Sequence, residues 1–384
     1  MSILSAIGTA AEADPFTPFK LQLTPNITSY SAGFPSYPSV FARDIITSGI
    51  LSARPELLIS GIEVGAYYQA QKSNTVNGAE EGKIAHEKPG ASLPSREGKT
   101  DYNACDTTAL FLIATEGLSR LSPHVFAQTI NNIKPSLKKA VGYIVSHIDD
   151  DIFIERPPTG SSGYALKVTM WKDSVLPQPG KEEPIYPVIY PQAHFIAARG
   201  LLGMGSLLKE PELSYLADKM FRKGIGSFIL KEGYIVYKDN EASLMQESSD
   251  ELHNLAYIPK TYKDLLPLDE IRGRAKILET PFGYMCTPRE VAKKLKDNYH
   301  GDTVWTQDNA LINYGAVKFG LSYEAGVSSS VASHIGEGQE LFGLEDNIDG
   351  GISLIRKGNS KQLWAVATSE YFNSQYSLLN NPWL

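Results

Sequence analysis

The chain has 384 residues, room for one large domain or two average ones, and its 42% hydrophobic and 21% charged residues exclude a wholly disordered or collagen-like protein. Its 36 Lys and Arg against 43 Asp and Glu leave a net charge of -7, which argues against a nucleic-acid partner. Two cysteines cannot build a disulfide framework or a four-cysteine zinc site, and no apolar run approaches the roughly 18 residues of a membrane span.

In chain order, the N-terminal MSILSAIGTAAEADPF has no basic n-region, so no secretory signal is expected and the cytoplasm is the expected location. The sequon Asn26-Ile27-Thr28 is then incidental. A short N-terminal helix is expected, then helical stretches over 43–53, 56–71 and 105–120. Ser122 and Pro123 supply an N-cap and a first-position proline for the next helix. Along it Phe126, Ile130, Ile133, Leu137, Val141, Ile144 and Ile148 fall on one face, and Pro135 is expected to kink or divide it. Further stretches follow at 190–208, 211–226, 268–278, 288–296, 306–319, 322–335 and 361–379, making about twelve helices. The clearest strand signal is a hairpin, Phe228–Leu230 with Tyr234–Tyr237, turning at Lys231-Glu232-Gly233. Neither alternating strands and helices nor a short repeat is present.

Two long loops, 72–104 and 155–187, hold aromatic, His and acidic residues that plain linkers lack. Tight turns such as Ala53-Arg54-Pro55 and Leu121-Ser122-Pro123 alternate with the long loops. That pattern reads as helical hairpins whose long loops gather at one end, an all-α barrel in one domain, 1–384, with small β-hairpin decorations. The 20 Tyr, 14 Phe and 4 Trp fit either a large core or a polar, aromatic-lined cleft.

Several loop segments, in order, resemble the glucosidase domain of glycogen debranching enzymes, the amylo-alpha-1,6-glucosidase family. Ser31-Ala32-Gly33-Phe34-Pro35 and Phe41-Ala42-Arg43-Asp44 resemble its Ala-Gly-aromatic-Pro element and its Phe-Gly-Arg-Asp. Gly82-Lys83-Ile84-Ala85-His86-Glu87 and Asp106-Thr107-Thr108 with Leu110-Phe111 follow the same pattern. Trp171-Lys172-Asp173-Ser174 matches the family's Trp-Lys-Asp-Ser residue for residue. Tyr299-His300-Gly301, Val304 to Ile312, Glu340-Leu341-Phe342 and Gln362-Leu363-Trp364-Ala365 complete the series. Ala42 and Thr306 replace the usual Gly and Pro, and Gln339 stands where a Pro precedes Glu340. The resemblance implies an (α/α)6 toroid and an inverting glycoside hydrolase with a carbohydrate substrate.

Cleaving a glycosidic bond takes one carboxyl to protonate the leaving oxygen and another to activate water or attack carbon. The resemblance implies Asp173 as the acid, beside a Trp171 ring that would exclude water and raise its pKa. Lys172 would oppose that rise if it pointed inward. Glu340 is implied as the base, with Glu370 its main rival and Glu247 a weaker one. A solvated loop aspartate and a surface glutamate are the plain alternatives. Arg43 is expected to hold the Asp44 carboxylate for sugar binding, though a helix-start ion pair would look the same in sequence. Asp106 reads as a sugar ligand or a helix cap. Glu87, Trp171, Lys172, Gln192, His300, Trp305, Gln307 and Asp308 complete the expected binding set, Trp305 as stacking platform or core residue.

Seven His with no HxxxH pair, no Walker or dinucleotide fingerprint and no nucleophile elbow leave no metal or cofactor expected. Two other readings stand: hydrolysis of glucosylglycerate- or mannosylglycerate-type solutes, with Lys172 or Lys83 meeting the carboxylate, and a degenerate glycan-binding protein.

Overall fold

A computed structural model describes residues 14–88 and 100–374. Among them are α1 (Ala42–Ser52), α2 (Pro55–Tyr67), α3 (Thr107–Leu121), α4 (Pro123–Ser146), α5 (Pro191–Leu208) and α6 (Pro211–Phe228). Then follow α7 (Ser249–Asn254), α8 (Leu268–Ala275), α9 (Arg289–Ala292), α10 (Thr306–Phe319), α11 (Ser322–Ser329) and α12 (Leu363–Asn373). Six of these touch in a closed cycle: α1 packs on α3, α3 on α5, α5 on α7, α7 on α10, α10 on α12, and α12 on α1. Outside it, α2 packs on α1 and α3, α4 on α3, α6 on α5, α8 on α7 and α11 on α10. The helix content, the short antiparallel strand pairs and the lack of any sheet barrel among the described residues fit the expected helical toroid.

Sequence explains which helices go where. α1 is buried from Ala42 to Leu51 and α10 almost throughout, as helices enclosed on every side must be. α4 and α6 bury one stripe each, Ile133-Leu137-Ala140-Val141-Ile144 and Leu213-Ala217-Met220-Phe221-Ile225. Gly315 lets α10 approach the end of α7: a Cβ there would lie 2.8 Å from the Ala256 nitrogen. Left-handed Ala53 and Lys209 end α1 and α5, and Pro55 and Pro211 start α2 and α6, so these connections are tight. The longest connections run the other way, from outer helix to ring helix. They deliver every ring helix N-terminus to the same end of the molecule. Arg43, Asp44, Asp106, Gln192, Asp250, Gln307, Asp308 and Trp364 therefore share that end.

Several sequence boundaries move. α4 is one continuous helix with Pro135 inside it, not two. The 56–71, 268–278, 288–296 and 322–335 stretches shorten to α2, α8, α9 and α11, with 3-10 turns at Lys276–Leu278 and Ser330–His334. The last stretch is helical over Leu363–Asn373, and 375–379 lies outside the described residues. Residues 1–13, expected to carry the short helix, also lie outside; from Lys20 the chain forms a strand pair with Ile27–Tyr30. The expected 228–237 hairpin is displaced: α6 runs on to Phe228, Ile229 and Tyr234 make a single bridge, and Ile235–Lys238 pairs with Ser243–Met245. The longest ladder, Leu341–Asp346 with Ile352–Lys357, was not expected, although Asp349-Gly350 between alternating residues is a hairpin signal. No described helix is long and apolar enough to cross a membrane.

Candidate active site

Where the ring helices begin, a cleft with about 210 Å³ of room opens. Eight of the expected residues line it: Arg43, Asp44, Glu87, Trp171, Asp173, His300, Trp305 and Glu340. Tyr37, Tyr299, Gln362 and Trp364 line it as well. Glu370 does not reach it, because its carboxylate is held by Arg54, with Nε to Oε2 at 3.0 Å. Glu247 does not line it either.

Arg43 stands in the first turn of α1 and is 4% exposed. Its Nε donates to Asp106 Oδ1 at 3.0 Å and its Nη1 to Asp173 Oδ2 at 3.4 Å. This corrects the expected Arg43–Asp44 clamp: the guanidinium bridges two other carboxylates, and Asp44 accepts from Gln362 Nε2 at 2.9 Å. Asp106 occupies the N-cap position of α3 without making a side-chain cap, and its Oδ1 accepts from Arg43 instead. Arg43 Nη2 is buried without a hydrogen-bond partner, a donor left over for a ligand.

Asp173 keeps 29% of its side chain open at the bottom of the cleft. The walls around it desolvate the carboxyl and raise its pKa to about 6, with Arg43 working against the rise. Trp171, 5% exposed, supplies part of that wall. Asp44 is pushed well up by burial, against the pull of Arg43.

Glu340 comes from the other side, one residue before the Leu341–Asp346 strand, and is 1% exposed. Tyr299 Oη donates to its Oε1 at 2.9 Å and the Asn359 N–H to its Oε2 at 2.6 Å. Gly358, at φ +69°, makes room for it, since a Cβ there would collide with Oε2. Burial raises Glu340 to about 7 despite these two donors, and the Asp173 charge adds to the rise. Tyr37 Oη lies 3.4 Å from Tyr299 Oη and continues the chain of hydroxyls.

Trp305 is 1% exposed, and His300 stacks on it at 4.6 Å and 13°. With its face covered, Trp305 acts as a packed support and not as an open platform. His300 Nδ1 in turn lies 3.0 Å from Ser174 Oγ. Burial pushes both His86 and His300 well below the usual imidazole range.

The remaining expected ligands stand behind the cleft. Lys172 turns away from it to Ser248 Oγ at 3.1 Å, Ser249 Oγ at 2.9 Å and Asp250 Oδ1 at 3.1 Å. Asp308 accepts from Ser249 Oγ and pairs with His253 Nδ1, both at 2.6 Å. Gln192 and Gln307 join Arg43, Asp106 and His253 around a second cavity of about 20 Å³, the size of one water. Lys83 is fully buried against Glu155 at 3.1 Å and Tyr164 Oη at 3.2 Å. Neither lysine presents a charge to the cleft. The Cys105 thiol is pushed well up by burial and by Asp106, which removes it as a nucleophile. Among the described residues no three His, Cys, Asp or Glu side chains come together as a metal-holding group.

Sequence reasoning missed Tyr37, Tyr299, Asn359, Gln362 and Asp250. Tyr299 stood inside a family-like motif, and the tyrosine surplus pointed toward a cleft. Gln362 likewise opened a family-like motif, whereas nothing local marked Asn359 or Asp250.

No family model matches the chain, and no curated protein does. Solved structures do. The GH63 mannosylglycerate hydrolase from Thermus thermophilus in complex with glucose superposes at TM-score 0.60 and 12% identity, covering 90% of this chain and 96% of that one. The same hydrolase with Tris and D-glycerate gives 0.61, 12%, 94% and 98%. A wild-type glycosidase gives 0.54 and 12%, with 90% of each chain covered. At such identities the likeness is one of fold.

Proposed function

We propose that the chain is an inverting glycoside hydrolase, folded as one (α/α)6 catalytic domain over 1–384, that cleaves an α-glucosidic bond. Asp173 is the general acid and Glu340 the general base. The observation that carries this reading is the pair of cleft carboxyls raised to about 6 and about 7. Near those values the two carboxyls exchange one proton, and the productive form is the minority one that carries it on Asp173 with Glu340 ionised. In the proposed step the sugar–oxygen bond breaks as the Asp173 proton passes to the leaving oxygen. Water attacks the opposite face of the anomeric carbon and gives its proton to Glu340. Inversion requires about 6.5–9.5 Å between the carboxyls to admit that water. Arg43 Nη2, Asp44 and Glu87 are the groups set to meet sugar hydroxyls, and both carboxyls facing one cleft favours hydrolysis over passive glycan binding.

A neutral aglycone suits the charges best. Asp44, Asp173 and Glu340 face the cleft, and the cation on its wall, Arg43, is already shared by Asp106 and Asp173. The likeness to a mannosylglycerate hydrolase favours a second reading, a glycerate-bearing solute. Its carboxylate would have to compete for Arg43 Nη2, since Lys172 and Lys83 are engaged elsewhere. We keep the cytoplasm as the proposed location.

Proton NMR of isomaltose, glucosylglycerol and glucosylglycerate incubated with the protein tests both readings. Initial β-glucose from a neutral substrate is expected, with losses on the order of 10²–10⁴-fold in Asp173→Asn and Glu340→Gln. Initial α-glucose would overturn inversion, and preference for glucosylglycerate would overturn the neutral aglycone.

A further inference from the structure

Asp173 bonds through its side chain to Arg43 across the cleft. The backbone that carries it, residues 171–174, is a run of bends outside any helix or strand. Yet both residues preceding the carboxyl are fastened to one group. Trp171 Nε1 donates to Asp250 Oδ1 at 3.1 Å, and Lys172 Nζ reaches the same oxygen at 3.1 Å. The other oxygen, Oδ2, accepts from Ser248 Oγ at 3.0 Å. Asp250 is 1% exposed, lies in the first turn of α7 and does not line the cleft. Lys172 is fixed further by Ser248, Ser249 and the Cys286 carbonyl.

We infer that Asp250 is a positioning residue: one buried carboxylate ties the indole and the ammonium on the acid's N-terminal side to the ring and so sets where Asp173 stands. The inference rests on the hydrolase reading. It assigns Lys172 to this clamp, in place of the substrate contact expected from sequence. A charge-assisted pair buried this deeply fixes geometry more reliably than an exposed one. A shift of about 1 Å in a proton donor is enough to cost on the order of 100-fold.

Leaving-group dependence tests it. With isomaltose the departing oxygen needs the Asp173 proton. With α-glucosyl fluoride the carbon–fluorine bond breaks and fluoride leaves unprotonated, while water still gives its proton to Glu340. Asp250→Asn is expected to lose about 100-fold in kcat/KM on isomaltose and less than about threefold on the fluoride. Ser248→Ala, which releases Oδ2 and also removes the α7 N-cap and one acceptor of Lys172 while keeping the Asp250 charge, is expected to lose about fivefold on isomaltose alone, and it serves if Asp250→Asn does not fold. Equal losses on both substrates, or none on either, would overturn the inference, since damage to the barrel does not distinguish leaving groups. Wild-type protein inert toward both substrates would instead overturn the hydrolase reading on which the inference rests.

Discussion

Two layers of charge lie at the same end of the helical ring, and they are built on opposite plans. The rear layer, Lys172, Asp250, Asp308 and His253, is matched: each carboxylate has a cation or an imidazole on it. Burial there works to raise Asp308, but His253, Lys172 and Ser249 outweigh it and leave the carboxyl below its usual range. Against the pull of burial, Asp250 likewise holds Lys172 above its usual range. In the front layer Arg43 acts on Asp44 and Asp173 while Glu340 is held by neutral donors, and burial wins at all three. Matched buried charge fixes structure, whereas carboxyls in excess of cations keep a proton available near neutral pH. The difference is why expected ligands in the rear layer belong to the scaffold while Asp173 and Glu340 remain candidates for chemistry.

The largest effect should come from unbalancing the rear layer. Lys172→Met strands Asp250, and denaturant unfolding should show a loss of about 3–5 kcal/mol. Combining it with Asp250→Leu should recover part of that loss. A loss under about 1 kcal/mol, typical of exposed pairs, would break the contrast between the layers. In the front layer, Arg43→Lys keeps the charge but cannot bridge Asp106 and Asp173 together. Steady-state kinetics on isomaltose should show about a 100-fold drop in kcat/KM.

Glu340→Gln should lose activity yet gain stability above neutral pH. Glu340 rises from 4.5 unfolded to about 7 folded, so its favourable contribution is complete below about pH 4.5 and is lost as pH rises to about 7. The variant escapes that loss and should exceed wild type by up to about 3 kcal/mol at pH 8, with no difference at pH 4. Thermal melts across that range check the sign. Tyr299→Phe should have the smallest effect. The Tyr299 hydroxyl holds Glu340 down, and Glu340 is the higher of the two values, so its removal should move the alkaline limb of the kcat/KM profile upward by less than about one pH unit.

The helices were largely legible through apolar spacing of three and four and through tight turns that carry Pro at fixed positions, and their closure into a ring was implied by the family resemblance. Asp173 and Glu340 were legible through ordered motifs that resemble a family, not through spacing: 166 positions separate them, from 173 to 340. Pro135 does not divide α4, and the 228–237 hairpin misled because an amphipathic helix absorbed its first arm.

Sequence by itself determined the residue types at the mouth of the ring, since each ring helix starts with its own polar residues after a long connection. Only the tertiary structure decided which of them face ligand and which face one another. Lys172 and Asp173 are neighbours in sequence, yet one points back to Asp250 and the other forward to Arg43. That choice depends on which charges from α1, α3, α7 and α10 come within hydrogen-bonding reach, a distance that the order of residues along the chain does not encode.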